Sequence, residues 1–257
     1  MYYLLYFFSG LIVGSFLNTV IYRLPFTLGL DPKDDEKIIK FFEPRSHCPN
    51  CYSQIPLYQN IPLLSILLLK GKCPICHHKI SSRYWIVELL TGLGFLYILL
   101  LNETVFDKSL LIALVCLLIS LSFIDLRYQI LPNSLNYLLI LSGILFNLKQ
   151  TDTIIASLIG MTIGYLFFLI IEKGYFKIYG KQGIGRGDAK MLSGIGAWIG
   201  WSSLPIVLLS SSLLAICAYT LLKTSLIVEN KEGIAFGPFM SVSALLVVFF
   251  NSGKNII

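Results

Sequence analysis

Two carboxylates and four thiols carry the chemistry that can be read from this chain. Asp125 closes an apolar run, after Leu121-Ser122-Phe123-Ile124 and before Leu126-Arg127. Asp188 follows Gly183-Ile184-Gly185-Arg186-Gly187 and stands where another apolar run begins. An ionisable group at membrane depth is costly, so its presence marks function. Each aspartate alone has a plainer explanation. Asp188 would serve as a helix N-cap, and Asp125 as an interfacial charge paired with Arg127. Together they suit aspartyl proteolysis. Two carboxylates that meet do not both ionise, so one holds a proton. The ionised partner takes a proton from water. The protonated partner polarises the scissile carbonyl and later protonates the leaving amine. The glycines before Asp188 let an extended substrate backbone approach, or let the helix start move. Glu88 and Glu172 also fall within or at the end of apolar runs and compete for attention.

The thiols lie in one polar stretch. Cys48-Pro49-Asn50-Cys51 is followed, after twenty-one residues, by Cys73-Pro74-Ile75-Cys76. Two Cys-x-x-Cys knuckles at this separation predict a four-thiolate zinc site, each knuckle supplying two ligands to a tetrahedral ion. With four positions filled the metal is structural. His47, His77 and His78 adjoin the knuckles and read as surface neighbours. Cys116 and Cys217 sit singly in apolar runs and read as small packing residues.

The elements that must position these groups are membrane helices. Of 257 residues, 56% are hydrophobic and only 13% charged, against ~25% charged in an average soluble domain. The mean hydropathy is +0.76. The expected class is an all-α polytopic membrane protein of about eight spans: Tyr2–Tyr22, Tyr84–Leu101, Ser109–Ile124, Ile130–Leu148, Ile154–Ile171, Ala189–Trp201, Leu204–Leu222 and Ile234–Phe250. The start lacks a basic n-region, so the first span is expected to stay as an anchor. With this division, seventeen of the 20 Lys and Arg fall on one side. The positive-inside rule makes that side cytoplasmic. Asp125 and Asp188 both fall at cytoplasmic span ends, and so does the polar loop, where reducing conditions disfavour disulfides. The predicted domains are residues 1–22 as the first span, 23–83 as a zinc-binding loop domain and 84–257 as the helical catalytic domain. Between the knuckles, Ile61–Leu69 is too short to span and is expected to lie at the interface or pack on the bundle, holding the zinc unit against the membrane surface near the aspartates. The net charge of +6 is topogenic and meets anionic lipid heads; it calls for no nucleic-acid partner.

An ordered set of blocks resembles the type IV prepilin peptidases, the prepilin leader peptidases/N-methyltransferases of the Gly-x-Gly-Asp aspartyl protease class. The blocks are Gly14–Pro25, Arg45–Cys51, Asn60–Ser65, Gly71–Cys76, Ile80–Tyr84, Val87–Gly92, Asp125 with Leu131-Pro132-Asn133, Gly185–Lys190 and Phe236-Gly237-Pro238-Phe239. They run over nearly the whole chain. Trp85 stands where a proline is usual and Met191 where leucine is common; neither is a proposed catalytic residue. The resemblance implies catalytic Asp125 and Asp188, and a bacterial inner membrane location with the site facing the cytoplasm. It implies type IV prepilins or type II secretion pseudopilins as substrates. It also implies methylation of the new amino terminus from S-adenosylmethionine, for which the residues themselves reveal no site. Oligomeric state is not legible. Two readings compete: a proton- or cation-coupled transporter using the two aspartates, and a zinc-knuckle scaffold in which they are dispensable.

Overall fold

A computed structural model gives the fold, describing residues 2–29, 48, 50–51, 53–56, 62–63, 69, 71–180, 185–224 and 235–253. Among these there are seven helices and no strand: α1 Tyr2–Thr27, α2 Arg83–Leu100, α3 Val105–Tyr128, α4 Asn133–Asn147, α5 Thr151–Tyr179, α6 Arg186–Thr224 and α7 Gly237–Gly253. They form two compact units, Met1–Leu100 and Leu101–Ile257. Five helices (α1, α2, α3, α5 and α6) are long and apolar enough to cross a membrane. The chain is a multi-pass membrane protein. The count of eight spans is not confirmed: helices α4 and α7 have 15 and 17 residues. The expected sixth and seventh spans are the two arms of α6, which meet at a kink. A break at Gly200 (φ 71°, ψ 174°) interrupts α6 close to the expected boundary. Only glycine takes that conformation without strain.

In the first unit α1 and α2 pack antiparallel through small residues. A Cβ on Gly14 would stand 2.7 Å from Glu88 Cα, and one on Gly10 would stand 2.8 Å from Gly92 Cα. Close backbone approach is how apolar helices associate where no water is available to drive them together. Buried Asn18 donates from Nδ2 to the Tyr84 carbonyl at 2.9 Å, fixing the register. Buried Glu88 accepts the Leu63 backbone N–H at 2.9 Å. Leu63 holds a left-handed conformation (φ 58°). This ties the inter-knuckle segment to a helix; residues 61 and 64–68 of that segment lie outside the described residues.

In the second unit α5 and α6 pack tightly. Gly160 and Gly164 face α6, and a Cβ on Gly164 would stand 2.7 Å from the Leu192 carbonyl oxygen. Gly196 faces Gly160 too closely for any side chain. Gly196 therefore seats the helix, while Gly200 breaks it. Helix α3 starts with a cap: Thr104 Oγ1 accepts the Asp107 N–H at 3.2 Å and donates to Asp107 Oδ2 at 2.6 Å. Asp107 is fully buried and pairs with Lys149, which follows α4. The pair ties the ends of α3 and α4 remote from Asp125. Pro132 is the N-cap residue of α4, outside its first turn.

Candidate functional site

The thiols converge within the first unit. All four sulfurs of Cys48, Cys51, Cys73 and Cys76 lie within 4.8 Å of one another. Two distances cross between the knuckles: 3.8 Å from Cys48 to Cys76 and 3.9 Å from Cys51 to Cys73. A tetrahedral ion with Zn–S bonds of ~2.3 Å has edges of about 3.8 Å, so the group fits zinc. Disulfide sulfurs stand at ~2.05 Å, and all four cysteines are free. Local turns build the cradle. Cys48 N–H donates to the Ser53 carbonyl at 2.9 Å, and Cys73 N–H to the His78 carbonyl at 2.9 Å. Backbone donors at Cys76 and Ile75 pull the Cys73 thiol down to about 6. Ser53 lowers Cys51. Burial pushes Cys48 up to about 11. A bound cation would displace the remaining thiol protons. His77 and His78 are exposed and stand outside the group; His47 lies outside the described residues.

The two aspartates converge within the second unit. Asp125 is 5% exposed, one turn before the end of α3. Gln129 closes that helix in the left-handed conformation, its N–H donating to the Asp125 carbonyl at 2.8 Å. The chain then turns through buried Leu131 and Pro132 into α4. Asp188 lies in the first turn of α6, not at its N-cap: the helix begins at Arg186, and the Asp188 N–H donates to the Gly185 carbonyl at 3.1 Å. The residue before Asp188, Gly187, presses on Leu131 of the turn that follows Asp125.

Several contacts bring the helix ends together. A Cβ on Gly187 would stand 2.9 Å from Leu131 Cβ, so glycine lets the α6 start press on the α3–α4 turn. Lys190 Nζ donates to Asn133 Oδ1 at 2.6 Å, joining α6 to α4. Arg186 Nε lies 3.5 Å from Glu172 Oε1, tying the Gly-Arg-Gly-Asp turn to α5. Glu172 thus has a structural partner. Gly183 and Ile184 lie outside the described residues.

Sequence reasoning missed the group that holds Asp125. Its carboxylate accepts the backbone N–H of Gly237 at 2.8 Å, from the first residue of α7. The Arg127 guanidinium instead lies over the Tyr128 ring, 5.1 Å from its centroid. The signal for Gly237 was the late Phe-Gly-Pro-Phe block, which carries no ionisable side chain.

This arrangement is two carboxylates at one end of a helix bundle, on three converging helix termini. The bacterial peptidase A24 N-terminal domain matches residues 8–101, and the type IV leader peptidase family matches residues 112–220. The two matches fall one in each compact unit. Similar proteins include the prepilin leader peptidase/N-methyltransferase of Dickeya chrysanthemi, 36% identical over 94% of this chain and 90% of the relative. That of Aeromonas salmonicida strain A449 is 37% identical over 97% and 91%. That of Neisseria gonorrhoeae is 38% identical over 94% and 88%. No solved structure matches the chain significantly. Identity at this level over both units shows that the chain belongs to the type IV leader peptidase family.

Proposed function

We propose that this protein is a membrane aspartyl endopeptidase that removes the leader of type IV prepilins or type II secretion pseudopilins. The packing of the α6 start, which bears Asp188, on the turn that follows Asp125 carries this reading. One member of the pair is protonated at working pH and the other is not; the proton belongs to the pair. The ionised carboxylate takes a proton from a water, whose oxygen attacks the scissile carbonyl. The protonated carboxyl donates a hydrogen bond to that carbonyl oxygen, and the leaving amine departs with a proton. Seventeen Lys and Arg on the aspartates' side of the expected topology support a cytoplasmic site in the bacterial inner membrane. Zinc would close the first unit structurally through Cys48, Cys51, Cys73 and Cys76.

The relatives' names include N-methyltransferase, which supports methylation of the new amino terminus with S-adenosylmethionine as donor. The described grooves do not fit a polar nucleoside. One is lined by Ala113, Cys116, Leu117, Leu138, Leu141, Ser142 and Leu145, the other by Leu4, Leu5, Phe8, Ser9 and Ile12. Methyl transfer is therefore assigned to no residue here. The transport reading finds no support among the relatives, which are named as peptidases.

The test is purified full-length protein in detergent, incubated with a prepilin and labelled S-adenosylmethionine. The expected result is leader release followed by label on the mature chain. An intact precursor after many enzyme equivalents of time and protein would reject the peptidase reading.

A further inference from the structure

The N-terminus of α7 meets Asp125 directly, and its geometry is more demanding than a helix contact requires. The Gly237 N–H donates to Asp125 Oδ2 at 2.8 Å across 112 positions of chain. One turn on, Ser241 Oγ donates to the Leu118 carbonyl at 3.2 Å. Residues i and i+4 of α7 thus grip α3 at two points, seven residues apart. Phe236, just before the helix, packs edge-on against Phe168 of α5 at 6.2 Å and 89°. Its carbonyl accepts the Met240 N–H at 3.2 Å, so the first turn is formed and anchored.

Gly237 is not needed for its backbone. Among the described residues the positive-φ glycines are Gly29, Gly71, Gly180 and Gly200, and Gly237 is not one of them. The constraint is the carboxylate. A Cβ at position 237 would stand 2.7 Å from Asp125 Oδ2 and 3.2 Å from Asp125 Cγ. A first-turn N–H has no partner inside its own helix, so this donor is available to Asp125 at no cost to α7. A fixed N–H at the positive end of a helix holds a carboxylate oxygen in one place.

We propose that Gly237 is a positioning residue for leader cleavage: its N–H fixes the Asp125 carboxylate toward Asp188, and the absence of a side chain is what lets it do so. This rests on the two-aspartate reading. An error of ~1 Å in a reacting group costs on the order of 100-fold in rate. Gly237→Ala is therefore expected to lower kcat for leader cleavage by about 100-fold. KM and the thermal midpoint should stay near wild type, because substrate binding and the helix remain.

Ser241→Ala provides the contrast. It loosens the second grip on α3 and leaves the carboxylate's own partner in place, so it should lower the midpoint and cost much less kcat than Gly237→Ala. Full-length protein in detergent, a prepilin substrate and Asp125→Asn as reference complete the experiment. If Asp125→Asn cleaves like wild type, the paired-aspartate reading fails, whatever Gly237 does. If Asp125→Asn is inactive while Gly237→Ala keeps kcat within about threefold, a small fraction of the misplacement cost, the positioning proposal is overturned. If Gly237→Ala loses both kcat and midpoint, glycolic acid is incorporated at position 237. This removes the N–H and adds no side chain. Lost kcat in that ester supports the proposal, and retained kcat overturns it.

Discussion

Asparagine at position 125 or 188 is expected to lower the single-turnover rate of leader cleavage by ~1,000-fold or more, within the ~100- to 10,000-fold contribution of a positioned acid or base. The replacement is nearly isosteric. At position 125 its carbonyl oxygen can still accept the Gly237 N–H that now reaches Oδ2. The fold should therefore survive, as circular dichroism and the thermal midpoint will show. The two losses should not add. Groups that act on one water form a unit, so the double variant should be no slower than the worse single variant by more than about tenfold. Full additivity would mean that the aspartates act in separate steps.

The second large effect belongs to the first unit. Wild-type protein is expected to hold about one zinc per chain, and Cys48→Ser with Cys73→Ser to hold essentially none. These two residues come from different knuckles, and each faces a sulfur of the other knuckle. Their loss removes half the ligands and both cross-links. Apparent zinc binding in small structural sites is ~10–16 kcal/mol near neutral pH, more than a short polar loop can supply by burial. Proteolysis between residues 51 and 73 should accelerate, and chelation of wild-type protein should reproduce it. Because the ligands are thiolates, zinc should also be released as pH falls. Unchanged metal content in the double variant would reject the site.

Much of this was legible in the sequence for identifiable physical reasons. Cys-x-x-Cys spacing is a local geometric constraint, so the four cysteines that cluster could be named from the chain alone. Asp125 and Asp188 stood out because carboxylates at the ends of apolar helices are expensive and therefore rare. The glycines before Asp188 suggest substrate approach or a movable helix start; the close packing of Gly187 on Leu131 is not legible from that reading. The unread parts rest on groups that leave no mark. Gly237 acts through a backbone N–H, which every residue but proline possesses. Glu88 finds its partner in another backbone N–H, at Leu63. Asp107 and Lys149 pair across 42 positions, and neither residue type is unusual at a helix end. The kink that divides α6 falls at Gly200, close to the expected boundary between the sixth and seventh spans.

The central claim is that Asp125 and Asp188 jointly grip the reacting centre. A prepilin leader peptide with a hydroxyl-bearing tetrahedral carbon in place of the scissile carbonyl tests this without turnover. Transition-state mimics bind at least ~100-fold tighter than the corresponding substrate. Wild-type protein should bind this peptide about 100-fold tighter than the unmodified leader. Asp125→Asn and Asp188→Asn should each lose that advantage while binding the unmodified leader as wild type does. Equal preference for the mimic in wild type and in either asparagine variant would contradict the account.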